Sequence, residues 1–220
     1  MPRSARLVIP DCPHHVTQRG NNRQAVFFVE EDYAVYLELL GEQAEKFGLA
    51  IDGYCLMPNH IHLIVTPGDT DSLAKGVGRT HFRYTQYINR FHRRSGHLWQ
   101  NRFFSCPLDQ AHLIAAMAYV ERNPVKAKLA GRAWTWAHSS AATHVGQGES
   151  ILRLTDWPIV PADWKQRLGH GDDEFVMQMR RHTQTGRPLG SDSFVSRLEH
   201  KLNRRLRPRP VGRPKQKDKE

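Results

Sequence analysis

The order of elements along this chain predicts an α+β fold, an antiparallel sheet of ferredoxin-like type with helices packed on it. Three observations carry the prediction. Strand and helix patterns follow one another as strand, helix, strand, strand, helix, strand, helix. The two central strand patterns are joined by a connection short enough only for a hairpin. With 39% hydrophobic and 25% charged residues, the chain can also bury a real core, which excludes wholesale disorder. A doubly wound parallel sheet is excluded because it needs a crossover between each pair of strands.

Each element has a local reason. Pro10 to Pro13 opens a turn, and residues 14–20, HHVTQRG, read as a short strand ending at Gly20. The polar NNRQ of residues 21–24 makes a turn, and Val26 to Val29 returns to apolar character. Glu30, Glu31 and Asp32 crowd the first turn of a helix, where the macrodipole favours negative charge. Tyr33, Tyr36, Leu37, Leu40, Ala44 and Phe47 keep helical spacing, and Gly48 ends it.

Residues 50–56 and 60–66 are strand-like around Met57, Pro58 and Asn59, with Ile61, Leu63 and Val65 on one face and His60, His62 and Ile64 on the other. A second helix is expected over about residues 71–94, stopped by Gly96, and a fourth strand from Trp99 to Cys106. Asp109 can cap a third helix that runs to Asn123, where Pro124 stops it. Beyond residue 130 the periodicity weakens, and helices are expected only at 172–184 and 191–206. The resulting organisation is a domain over 1–145, a mostly helical extension over 146–206, and a disordered basic tail over 207–220.

Charge is distributed unevenly. Of the net +10 over 220 residues, +7 falls between Ser196 and Glu220, leaving a nearly neutral body. That asymmetry points to a polyanion, nucleic acid before membrane surface. Three cysteines far apart in sequence argue against a disulfide framework. No stretch approaches the ~18–20 apolar residues of a membrane span, and no secretion signal is evident, so a cytoplasmic location, with nucleoid association, is expected.

Two constellations could carry chemistry. His60 and His62, at i and i+2 on a strand, project from one face and can chelate a divalent cation; with 13 histidines in the chain, a chance pair is the competing explanation. On the third helix Tyr119 and Asn123 are four residues apart and share a face with small alanines, off the apolar stripe of Leu113, Ile114, Met117 and Val120. A half-buried tyrosine with its hydroxyl in water is the plainer alternative there.

Taken together, YCLMPNHIHLIV (54–65), AYVERNPVKAKLA (118–130) and HHVTQRGNNRQ (14–24) resemble the REP-associated tyrosine transposases, a branch of the HUH single-strand nucleases and insertion-sequence transposases. The resemblance is strong over residues 1–145, and TGRPLGSDSF (185–194) is similar to the C-terminal part that this branch adds. It implies cleavage and rejoining of single-stranded DNA through a 5′-phosphotyrosine, on palindromic DNA of repetitive extragenic type. It makes Tyr119 the nucleophile and His60, His62 and Asn123 the ligands of Mg²⁺ or Mn²⁺, with no nucleotide cofactor. Arg19, Asn21, Asn22 and Arg23 become DNA-contacting residues.

Arg79 and Arg83, on the arginine-rich second helix, are further candidates for DNA contact, against a merely solvated face. Arg213, within PVGRPK (210–215), could enter a minor groove as an AT-hook does, against a solubilising tail. The resemblance also allows a homodimer in which the tyrosine reaches the site of the other subunit. The competing function is a domesticated protein that binds palindromic DNA without cutting it.

Overall fold

The computed structural model describes residues 6–208. Arg213 and the PVGRPK segment lie outside the described residues, as does most of the expected tail. The strands are β1 (His14–Arg19), β2 (Leu49–Met57), β3 (His60–Pro67) and β4 (Phe104–Pro107). Helix α1 (Glu30–Lys46) joins β1 to β2, and α2 (Ser72–Phe91) joins β3 to β4. All pairings are antiparallel in the order β2-β3-β1-β4. This is the expected ferredoxin-like α+β sheet.

Alternation along the strands divides the molecule into two cores. On one face Val16, Leu56, Ile61, Leu63 and Val65 meet α1 and α2 through Tyr36, Leu40, Val77, Tyr84 and Ile88. On the other, Cys55, Ile64 and Cys106 meet α3 (Gln110–Glu121) through Ala116, Met117 and Val120. Helix α3 can lie this close because of Gly53, where a β-carbon would come within 2.4 Å of Met117 Sδ. A register shift between Ile51 and Gly53 leaves Asp52 as an extra residue, held by the hydroxyls of Thr66 and Thr155. Gly20 is equally constrained: a β-carbon there would sit 2.2 Å from the Gln24 carbonyl oxygen, so only glycine lets the 21–24 turn fold back on the end of β1.

Beyond α3 the chain forms α4 (Asn123–Lys126), α5 (Ala141–His144), α6 (Pro161–Leu168), α7 (Asp173–Thr185) and α8 (Asp192–Leu202). These are packed into the body. Trp164, Leu168, Met179 and Leu189 complete the second core, and Phe194, Leu198 and Leu206 build a third with Leu7, Ile9 and Cys12. Asp109 caps α3 through the His112 amide and also accepts from the Ser191 amide at 2.7 Å, fastening the extension to the body.

Several elements differ from the sequence expectation. The fourth strand begins at Phe104, because Trp99 makes only an isolated bridge to Gly20 while its indole packs on His81. Helix α3 stops at Glu121, before Pro124, and the proline instead opens α4, where its missing N–H costs nothing. Helix α6 has eight residues and too short an apolar pattern to be seen beforehand. The last helix ends at Leu202 because Asn203 adopts a left-handed cap with φ 45°. Arg207, placed in the tail by the sequence, is tied to Glu199 and Asp192.

All three cysteines are buried free thiols. No helix among the described residues is long and apolar enough to cross a membrane.

Buried histidines make stability depend on pH. His14 is fully covered between the Cys12 carbonyl and the Ile9 amide, and burial lowers its pKa to about 4. His81, beneath the Tyr36 hydroxyl, is lowered to about 3 by burial and by the charge of Arg6. Both stay neutral in the folded protein while the unfolded chain takes up protons below pH ~6.5. Their contribution is therefore complete above that pH and is lost as pH falls toward 4. Each removes about 1.4 kcal/mol per pH unit over that interval. Denaturant unfolding at pH 7, 6 and 5 should show the decline, and His81→Gln should flatten it by one proton's worth; an unchanged slope would refute this origin.

Candidate active site

The second sheet face carries the candidate residues in register. Arg19 lies opposite His60, and Thr17 lies between His62 on one neighbour and Phe104 on the other. His60 and His62 are on β3 with ring centroids 5.0 Å apart and nearly perpendicular. The Tyr119 ring meets His62 edge-on at 5.5 Å and His15 at 5.7 Å. The fold thus brings His60, His62, Tyr119 and Arg19 to one place.

His15 lies in the HHVTQRGNNRQ segment but has no partner at a ligand spacing, so the sequence alone reads it as a surface or groove residue. The structure buries it at the centre of the site. Its Nε2 is 2.8 Å from His62 Nδ1, and its Nδ1 is 2.8 Å from Thr183 Oγ1 on α7. Arg180, one turn earlier on α7, acts on the Tyr119 phenol and lowers its pKa. Two residues of the extension therefore reach the site. Neither could be read from sequence, since only the docking of α7 beside β1 and β4 brings them there.

Tyr119 itself differs from the expectation of a phenol off the apolar stripe. It is only 9% exposed and belongs to the second core. The cause is that α6 and α7 both pack against α3, with α7 also contacting β1 and β4, so that helix is apolar nearly all round. Burial raises the phenol's pKa, while the hydrogen bond and charge of Arg180, then the charge of Arg19, pull it down. Tyr119 and Asn123 also line a cleft of about 830 Å³ between α3, α6 and α7.

Both paired histidines are held neutral. Burial, then the charges of Arg19 and Arg180, lower His60 to about 4; His62 is driven well below its usual value by burial and by the surrounding histidines and arginines. His60 Nδ1 is 2.6 Å from Asn59 Oδ1, an atom that can only accept, so in the neutral ring Nε2 carries a lone pair. If His62 donates from Nδ1 to His15, and His15 to Thr183, the His62 Nε2 is likewise bare. Two bare imidazole nitrogens fit a divalent cation.

The rest of the ligand set is not assembled by acidic or thiol groups. Among the described residues no cluster of three or more His, Cys, Asp and Glu could hold a metal ion. The Asn123 amide nitrogen donates to the Tyr119 and Val120 carbonyls at 2.9 and 3.1 Å, which fixes the side chain on α3 and uses no bond of Oδ1.

The remaining candidates separate. Asn21, Asn22 and Arg23 form a 3₁₀ turn beside the β2–β3 hairpin, with Asn22 and Arg23 exposed at positive φ and Asn59 donating to the Arg23 carbonyl. They border the site. Arg79 and Arg83 do not: they lie on α2, across the sheet, and Arg83 pairs with Glu42 of α1.

Comparison with known proteins bears on the fold and the family. No curated protein matches the sequence. Among solved structures, a REP-associated tyrosine transposase bound to a REP hairpin shares the fold at 19% identity, over 72% of this chain and 96% of that one, with a TM-score of 0.57. A bacterial tRNA(His) guanylyltransferase (Thg1)-like protein in complex with ATP aligns over 56% of this chain and 63% of that one, at 10% identity and a TM-score of 0.38, too low to carry an argument. The profile of the IS200-like transposases matches residues 8–123, from the strand before the first helix through the tyrosine helix to Asn123. With more than half of its length matched, this chain belongs to the IS200-like transposase family.

Proposed function

We propose that the protein cleaves and rejoins single-stranded DNA through a covalent 5′-phosphotyrosine at Tyr119, on hairpin DNA of the repetitive extragenic type. The observation that carries this is the convergence of a tyrosine from α3 on two neutral histidines of β3. In the reaction the Tyr119 oxygen bonds to phosphorus and the bond to the 3′ oxygen breaks. The phenol loses one proton and the departing 3′-OH gains one. The phosphotyrosine keeps the bond energy, so a later 3′-OH can reverse the step without ATP.

Each protein group has a part. The charge of Arg180 favours the ionised form of the phenol against burial. Arg19, exposed at the end of β1 opposite His60, neutralises charge on the phosphate. His60 and His62, with Asn123 Oδ1, would hold Mg²⁺ or Mn²⁺, and all three are neutral ligands. The cation, when bound, polarises the phosphoryl oxygens. Asn21, Asn22 and Arg23 would contact exposed bases.

The test incubates labelled single-stranded hairpin DNA with the full chain and Mn²⁺ or Mg²⁺, and follows a protein–DNA adduct by denaturing gel. Adduct should appear only with metal. His60→Ala should lose it while hairpin affinity stays within about threefold, since an imidazole inside the site adds little to phosphate contacts elsewhere. Tight hairpin binding by the wild type with no adduct under either metal would instead identify a non-cleaving binder.

A further inference from the structure

A second concave surface, meeting the site just described at Thr183, has a composition that calls for an anion. It opens between the edge strand β4, the end of α7 and the residues after α8, with a volume of about 770 Å³. Arg6, Arg102, Arg187, Arg204, Arg205 and Arg207 line it, and no Asp or Glu does. Among the described residues only Arg207 is neutralised by carboxylates, those of Glu199 and Asp192. Among the described residues no carboxylate pairs with Arg102, Arg187 or Arg204. Arg6 is pressed 3.5 Å over the Phe103 ring, and burial, with the charge of Arg102, lowers its pKa to about 10. A concave array of unpaired cations in mutual repulsion is a phosphate-binding surface waiting for its charge.

The second observation is Phe104. It lines the same cleft, is 44% exposed, and stands on the edge strand. Through Thr17 it is in register with His62, so it shares the face that carries the active site two strands away, roughly 10 Å at the usual strand spacing. An exposed aromatic beside a cationic groove is the pairing by which single strands are held, a base on the ring and the backbone along the arginines.

We infer that the cleft is a second binding subsite for single-stranded DNA. It would take the strand flanking the cleaved phosphate, with a base stacked on Phe104 and consecutive phosphates along Arg102, Arg187 and Arg204. A duplex has no free base face to offer Phe104, which is why the single strand is the occupant. The inference deepens the proposed function and rests on it for the identity of the strand.

Its test does not depend on cleavage. Binding is measured by fluorescence anisotropy without metal, in the Tyr119→Phe background, using an unstructured oligothymidylate of about a dozen nucleotides and a duplex of the same length. Phe104→Ala should weaken oligothymidylate binding by roughly tenfold, the size expected for one lost stacking contact. The triple variant Arg102→Ser/Arg187→Ser/Arg204→Ser should lower the slope of log affinity against log salt by about 2, at about 0.7 per phosphate. Neither change should alter duplex binding by comparable amounts. Equal losses for duplex and single strand would assign the cleft to a duplex stem and overturn the inference, as would unchanged oligothymidylate binding in both variants. Should the triple variant melt early, Phe104→Ala, an exposed substitution, decides alone. Absence of an adduct in the wild-type protein would count against the proposed chemistry and leave this binding result standing.

Discussion

Tyr119→Phe should abolish the covalent adduct, lowering its rate of formation by a factor of about 10³ or more, because no other group can form the phosphodiester to protein. The fold should survive. The ring keeps its edge contacts with His15 and His62, and the lost hydroxyl interacts with Arg180, an exposed side chain. That loss costs about 1 kcal/mol, so Tm should fall by only roughly 2–4 °C. Arg180→Ala is the companion experiment. Arg180 lowers the phenol's pKa against the rise caused by burial; without it the ionised form is reached only at higher pH. The rate of adduct formation should then drop near neutrality and its pH profile move to the alkaline side. DNA cleavage persisting in Tyr119→Phe would show that water, not the tyrosine, attacks. A profile that does not move in Arg180→Ala would remove that residue from the ionisation of the phenol.

Glu121→Ala should be strongly destabilising. Glu121 is fully buried at the last turn of α3, two residues after Tyr119. Its carboxylate accepts from Ser140 Oγ and His144 Nδ1, both at 2.6 Å, and from Trp164 Nε1 at 2.8 Å. Truncation leaves His144 Nδ1 and Trp164 Nε1 buried without an acceptor, each costing about 1–3 kcal/mol, and leaves Ser140 Oγ only the Tyr54 carbonyl at 3.2 Å. The total, about 3 kcal/mol or more, corresponds to a Tm loss of roughly 10 °C in a protein of this size. Glu121→Gln keeps an acceptor oxygen and should lose less. Because this carboxylate joins α3 to α5 and α6, adduct formation should weaken along with stability. A Tm within 2 °C of wild type in Glu121→Ala would mean that the cluster is not what clamps these helices together.

What the sequence by itself determined about this protein is local in origin. The i, i+2 pair at His60 and His62 on a strand follows from alternation, and the helix start at Asp109 from a side chain bonding its own turn. The element order, with a hairpin between β2 and β3, was enough for the sheet topology, because connection length and antiparallel pairing limit the arrangements. Spacing alone put Tyr119 and Asn123 on one helix, whereas α3 ends at Glu121 and Asn123 opens α4, its side chain still bonded back to the Tyr119 carbonyl. Tertiary structure decided everything that joins distant segments.

His15 is far from Thr183 in sequence, yet the two meet at 2.8 Å. Arg180 and Thr183 matter only because α7 docks over the second sheet face, and that docking also buries Tyr119, which helix spacing had left outside the apolar stripe. It is likewise the docking of the extension against β4 that gathers arginines from four separate segments around Phe104, while Arg79 and Arg83, on a helix rich in arginine, fall on the far side of the sheet. The physical reason is the same throughout. Periodicity and capping are interactions within one turn or one strand, so they are written in short stretches of sequence. Burial and the company a side chain keeps depend on which layer covers which face, and only the packed chain sets that.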